Sequence, residues 1–217
     1  MRIKRFIRQL KGSCSGVTAV EFALALPLFL GIMISGVEIS WLMMANMKVQ
    51  RLATMTADLI ARDGASTSRI SEAQIYDILS AMNVAASPLD VRTRGRVIIS
   101  AVLGEDTGTD RLPDVNRIKW QRFDGGLTSA SPIIGCVTAN NITTGVGRQL
   151  KLAEPLYHVQ VTYEYEPIYS ASMFHMFGVP TTITRTASYR GRGAIYHDVL
   201  SIEGYPPKGN CTSATGL

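Results

Sequence analysis

From Val17 to Ala45 the chain carries only two charges, Glu21 and Glu38, among apolar and small residues. Phe22 to Ala45 alone would span roughly 36 Å as a helix, against about 30 Å of bilayer hydrocarbon. The pattern then changes without stopping. Val49, Leu52, Met55, Thr56, Leu59 and Ile60 recur at three- and four-residue spacing, while Lys48, Arg51 and Asp58 fall on other sides. Arg62-Asp63-Gly64 reads as the stop, with Gly64 just past the helix end. One helix of about 45 residues is expected, apolar all round in its first half and one-sided in its second. A break near Asn46 into two helices is the competing reading.

A polar loop at 64–69 precedes a second helical pattern. Ser71 through Ala86 opens with "SEAQ", a Ser N-cap signal, and continues with Ile75, Ile78, Leu79 and Met82 on one stripe. The period then shortens to two. "RVIISAVL" (96–103) is β-branched and apolar throughout, as a central strand is. "NRIKWQRF" (116–123) alternates, which places Ile118 and Trp120 on one face. "YHVQVTYEYE" (157–166) sets Tyr157, Val159, Val161, Tyr163 and Tyr165 against His158, Gln160, Thr162, Glu164 and Glu166. "TTITRTASYR" (181–190) alternates less sharply. Four strands after two helices predict an α+β head, an antiparallel sheet packed on helices.

Charge changes the picture in one place. The 217 residues carry a net +5, but Arg2, Lys4, Arg5, Arg8 and Lys11 lie within residues 1–16, where there is no acid. The remaining 17 bases balance the chain's 17 acids. With no basic excess on the predicted head, nucleic acid is not an expected partner. A basic tail before an apolar run is instead a membrane-topology signal, with residues 1–16 on the cytoplasmic side and the head across the membrane.

That leaves Glu21, a carboxylate near the start of the apolar run. An ionised carboxylate in hydrocarbon is destabilising by several kcal/mol or more without a partner. Residues 36–47 offer no clean small-x-small site for a cleaved secretory signal. Cys14 precedes the apolar run, so it does not fit a lipoprotein signal. A prepilin-type leader fits. The cut falls before the apolar helix, after a small residue that follows a basic leader, with an acid five residues on. Gly16, the five bases and Glu21 supply these. Cutting between Gly16 and Val17 creates an α-amine on Val17, and Val17 and Glu21 share a helix face as i and i+4. That amine, or one on a neighbouring helix, would neutralise the carboxylate, which also lies where the helix dipole favours negative charge. A plain bitopic anchor with a stray polar residue at its inner boundary is the alternative.

The stretch "GVTAVEFALALPLFLGIMISGVE" resembles the N-terminus of the TadE-like (TadE/TadF) minor pilins, or pseudopilins, of tight-adherence (Tad/Flp) type IV pilus systems. The shared marks fall on Gly16, Thr18 to Leu24, Pro27 and Glu38, and the resemblance is close over about residues 12–62. It implies cleavage by a membrane prepilin peptidase and a structural, non-enzymatic role in assembling an adhesion pilus. The partners it implies are that peptidase, other pilin subunits, the Tad assembly platform and membrane lipid. It also implies a single-pass inner-membrane protein with a periplasmic head, able to enter the extracellular pilus. The organisation expected is a basic leader at 1–16, a transmembrane helix at 17–45, its periplasmic extension at 46–63 as a pilin-like stalk, and the head at 64–217. Pro27 leaves the Ala23 carbonyl without its helical N–H and marks a kink. The second reading is an uncleaved inner-membrane anchor holding a periplasmic binding head in an envelope complex.

Cys136 and Cys211 both lie on the expected outer side, where thiols are oxidised, so a disulfide between them is the economical reading. Cys14 would leave with the leader. "GEDTGTD" (104–110) gathers Glu105, Asp106 and Asp110 but lacks the spacing of a calcium loop, and reads as a solvated turn. His158, His175 and His197 have no metal-ligand spacing. No nucleophile motif or phosphate loop occurs, so no metal or cofactor is expected. Asn141-Ile-Thr143 and Asn210-Cys-Thr212 match the glycosylation triplet. "SMFHMFGVP" (172–180) is apolar and expected to face the core.

Overall fold

The structure, a computed structural model, describes residues 15–63, 69–137, 142–143, 145–152, 154–168, 172, 178–192 and 196–217. The expected helix stop at Gly64, most of the 172–180 segment, His175 and Asn141 lie outside these residues.

Helix α1 runs Ser15–Asp63 as one element, through both Pro27 and Asn46. Two compact units divide the chain, one ending at Met43 and the other running Met44–Leu217. In the first unit residues 16–37 are all exposed. Glu38, which follows them, is buried at 6% exposure.

In the second unit α1 buries Val49, Leu52, Thr56 and Ile60 of the expected stripe, with Ala45, Ala53 and Ala57 beside them, while Met55 and Leu59 are half-buried. Helix α2 is Glu72–Ala86. Ser71 caps it by accepting from the Gln74 amide, while the Gln74 side chain accepts from the Ser71 amide at 2.8 Å. Ile75, Ile78, Leu79 and Met82 are buried along it. A single turn, α3 (Val91–Arg94), is opened by Asp90, whose carboxylate accepts from the Thr93 amide at 3.1 Å. The Lys48 ammonium of α1 donates to the Ser87 carbonyl at the end of α2.

Four strands follow: β1 (Gly95–Glu105), β2 (Val115–Asp124), β3 (Leu156–Glu164) and β4 (Thr182–Arg190). They form one antiparallel sheet in the order β2-β1-β3-β4. β1 is central, as its unbroken apolar run predicts. The chain between β2 and β3 passes β1 to reach its far side, so the sheet is not a simple meander.

The two faces differ. One carries Ile99, Val97 and Ala101 of β1 beside Val159, Val161 and Tyr157 of β3, all buried. Helix α2 lies on this face, because its Glu72 meets Arg122 of β2 there. The other face carries Arg96, Ser100, Gln121, His158, Gln160 and Thr162, also buried. The alternation in β3 thus separates two faces correctly, but the polar one is not left to water. Irregular chain closes it. Gln160 donates to the Ser131 carbonyl at 2.9 Å and accepts from the Ile133 amide at 2.7 Å, and Gln121 accepts from the Val137 amide at 2.8 Å. Buried amides paired to loop backbone satisfy both parties, so a polar strand face can be interior.

The expectation for β2 fails at one residue. Trp120 pairs with Ala101 and Ile118 with Val102, so Lys119 is an extra residue in the ladder. This bulge turns Ile118 to the face opposite Trp120. Ile118 packs with Val102, Ile134, Leu150 and Leu156, whereas Trp120 stacks at a tilt on Tyr157 across the other face, centroids 6.1 Å apart.

Candidate assembly segment and the clamped head

Gly16 and Val17 lie in the first turn of α1, and Glu21 follows Val17 by four residues on the same helix face. Val17 is 58% exposed, and Glu21 is exposed. Among the described residues Glu21 makes no hydrogen bond or ion pair. A Cβ added to Gly16 would meet nothing within 4 Å, and the same holds for Gly31 and Gly36. Among the described residues, therefore, no packing requires a glycine at 16.

The helix around these residues suits an apolar surrounding. Ser35 donates to the Gly31 carbonyl and Ser40 to the Gly36 carbonyl, each at 2.8 Å. Both hydroxyls are satisfied within the helix, as hydrocarbon demands. Phe22, Leu24, Leu28, Phe29 and Ile32 are each more than half exposed. α1 is the one described helix long and apolar enough to cross a membrane, a candidate single span. Pro27 sits inside this run, and the helix continues on both sides of it.

The other predicted pair lies in the head. Cys136, after β2, is bonded to Cys211 in the C-terminal segment, with Cα atoms 6.2 Å apart. The bond joins two pieces of irregular chain that close the polar face of the sheet. Arg96 lies beneath them, fully buried in β1. Its guanidinium donates to the carbonyls of Ser213 at 2.5 Å, Cys211 at 2.9 Å and Gly125 at 3.2 Å. Its guanidinium carbon also lies 5.2 Å from the centre of the Phe123 ring. Burial pushes the Arg96 pKa down, and the charge of Asp124 works against that. Near the end of this segment Gly216 has φ +78°, and a Cβ there would run into the Phe123 carbonyl and Lys208. The segment is further tied by the Phe123 amide, which donates to the Lys208 carbonyl at 2.8 Å.

The remaining candidates have local structural roles. Asp106 accepts from the Gly108 and Arg111 amides, Asp110 from the Leu112 amide, and Glu105 pairs with Arg117 and Lys119. These carboxylates organise the turn between β1 and β2 and its flanking strands. For Glu105, burial raises the pKa, but hydrogen bonds and charge from Lys119 and Arg117 bring it below the usual value. Asn210 accepts from both the amide and hydroxyl of Thr212, so this triplet forms a side-chain turn next to the disulfide. His158 shares a 2.8 Å hydrogen bond between Nδ1 and the Ser188 hydroxyl, and its Nε2 is buried. A Ser–His contact of this kind can activate a nucleophile when a third group orients the ring. Among the described residues nothing bonds to Nε2, so the pair is a cross-strand contact.

Sequence reasoning passed over the buried Glu72–Arg122 pair and Arg96. Arg96 and Arg122 could have been found only as bases standing inside strand patterns whose neighbours are apolar.

No curated protein and no solved structure matches the chain. A family model described as "TadE-like protein" matches residues 16–58. The match begins at Gly16, takes in Glu21, Pro27 and Glu38, and ends within the buried stripe of α1. The match lies on α1 and not on the sheet: in this helix, the chain is similar to the TadE-like family.

Proposed function

We propose that the chain is a minor pilin or pseudopilin of a tight-adherence pilus system, cut after Gly16 by a prepilin peptidase. The observation that carries this is the free space around Gly16, one turn before an unpaired Glu21, in a TadE-like helix. A glycine that no neighbour needs is accounted for by a protease subsite that admits only a small residue. A carboxylate with no partner among the described residues is accounted for by an amine created at Val17, on this subunit or the next. In this reading the N-terminus is cytoplasmic, the head periplasmic, and the exposed first half of α1 packs against lipid before assembly and pilin helices after it. The chain does structural work, and the chemistry belongs to the peptidase and the assembly motor.

One observation favours the uncleaved reading. α1 already includes Ser15 and Gly16, so the Gly16–Val17 bond lies in helical backbone, which a protease must unwind before cutting.

The test is intact mass after co-expression with the cognate peptidase. A chain beginning at Val17, and loss of cutting in Gly16→Leu, are the expected results. A chain that keeps Gly16 beside a demonstrably active peptidase would sink the reading. Glu21→Ala is expected to be cut and to fail in assembly; normal pilus assembly by Glu21→Ala would reject the neutralising role.

A further inference from the structure

A cavity of about 470 Å³ opens on the polar face of the sheet, between the 127–133 segment and strands β3 and β4. The pilus reading does not use it. Its floor is a ladder of cross-strand pairs, Thr162 with Thr184 and Glu164 with Thr182. One wall is fixed to that floor by the Gln160 amide, through its bonds to the Ser131 carbonyl and the Ile133 amide. The Thr162 and Thr184 hydroxyls lie 3.2 Å apart and hold each other in place. The groove is therefore preformed, and its volume is within the usual range for small-molecule sites.

Four polar groups on it are uncommitted. The hydroxyls of Ser129, Ser131 and Thr182 and the carboxylate of Glu164 make no hydrogen bond or ion pair among the described residues. Leu127, Ala130 and Ile133 add apolar surface on the same wall, Ile133 being 58% exposed.

This chemistry narrows the ligand. None of the lining side chains is basic and one is a carboxylate, so an anion would find no counter-charge. A hard divalent cation takes six or more oxygens, usually with several carboxylates, and here there is one. A purely apolar ligand would strip water from the hydroxyls without replacing their hydrogen bonds. Hydroxyl groups both donate and accept, and the carboxylate accepts twice over. Their natural complement is a ligand that is itself rich in hydroxyls and has apolar C–H surface for Leu127 and Ile133. We propose that this groove binds a short neutral oligosaccharide, lying along the Thr–Glu ladder with sugar hydroxyls on Ser129, Thr182 and Glu164.

The site does not depend on cleavage at Gly16 or on a role in a pilus. It is tested on the full chain in detergent micelles, titrated calorimetrically with cellotetraose, maltotetraose and chitotetraose. At least one is expected to bind with one-to-one stoichiometry. Glu164→Gln and Ser129→Trp are each expected to weaken that binding at least tenfold, with the circular dichroism spectrum and the disulfide unchanged. Should Ser129→Trp not fold, Thr182→Val serves in its place, because β4 is an edge strand that leaves Thr182 exposed. Failure of all three sugars to bind overturns the proposal, and so does binding that the folded variants leave unchanged. Binding of lysine methyl ester in place of the sugars, weakening with salt, would assign the groove to an organic cation and overturn it equally.

Discussion

Glu72 in the first turn of α2 and Arg122 of β2 form a buried ion pair. The Arg122 Nε reaches both carboxylate oxygens, at 2.9 and 3.1 Å, and Nη2 closes on one of them. Glu72 is 2% exposed, and Arg122 also donates to the Gln121 carbonyl at 2.8 Å. The pair fixes the N-terminus of α2 to the apolar face of the sheet. Its register value is separate from its energy, because desolvation offsets much of the attraction between two buried charges.

Removing one partner should therefore be worse than removing both. Glu72→Ala leaves the Arg122 charge buried and is expected to cost about 3–5 kcal/mol. The double variant Glu72→Leu, Arg122→Met replaces the pair with apolar volume and should recover most of that loss. Chemical denaturation of the three proteins measures it. A double variant as unstable as Glu72→Ala would mean that the pair itself stabilises the head.

The disulfide closes a long loop, Cys136 and Cys211 being 75 residues apart. Loop closure predicts a loss on the order of 4 kcal/mol for Cys136→Ser with Cys211→Ser. The loss should be local first. Amide exchange ought to accelerate in residues 208–216 and around Arg96 before it does in α2.

The bulge at Lys119 leads to an unusual expectation. Deleting Lys119 would pair Trp120 with Ala101 and Ile118 with Val102 in a regular ladder, leaving each on its present face. The deletion is expected to preserve cooperative unfolding and to be milder than Ile118→Ala, which empties a site 1% exposed and should cost about 2–4 kcal/mol. Thermal melts of the two variants decide the order.

Burial pushes the His158 pKa below its ordinary value near 6.5. The unfolded chain then binds a proton at a higher pH than the folded one. The stability this supplies is complete above the unfolded value and is lost as pH falls from about 6.5 through the folded value. Melts between pH 7.5 and 5 should show this fall, and His158→Gln should flatten it. Glu105, whose pKa is also lowered, acts with the same sign at more acidic pH.

Much of the fold can be read along the chain, and the exceptions have identifiable causes. The length of α1, the Ser71 cap and the centrality of β1 each follow from a local signal: a sustained period, a capping pair, a run rich in β-branched and apolar residues. The Ile118 error came from a single inserted residue, which leaves hydropathy unchanged and reverses a face. The buried state of Gln160 depends on a segment 27 to 29 residues away that carries no periodic pattern of its own. The groove between those strands and residues 127–133 was invisible for the same reason: its polar groups are ordinary serines and threonines until the chain crosses over them. The resemblance to the TadE-like family was legible because its marks lie within one short stretch, from Gly16 through Glu21 and Pro27 to Glu38.

The clamp on Arg96 also has a consequence. Of the three carbonyls that receive this arginine, two belong to Cys211 and Ser213, 115 and 117 residues after it. Without them its guanidinium keeps only the Gly125 carbonyl. The part of the polar face over Arg96 is closed only where residues 208–216 dock and Cys211 is bonded to Cys136. A variant lacking residues 208–216 is therefore expected to leave Arg96 uncovered and to be digested by protease faster than the chain that carries them.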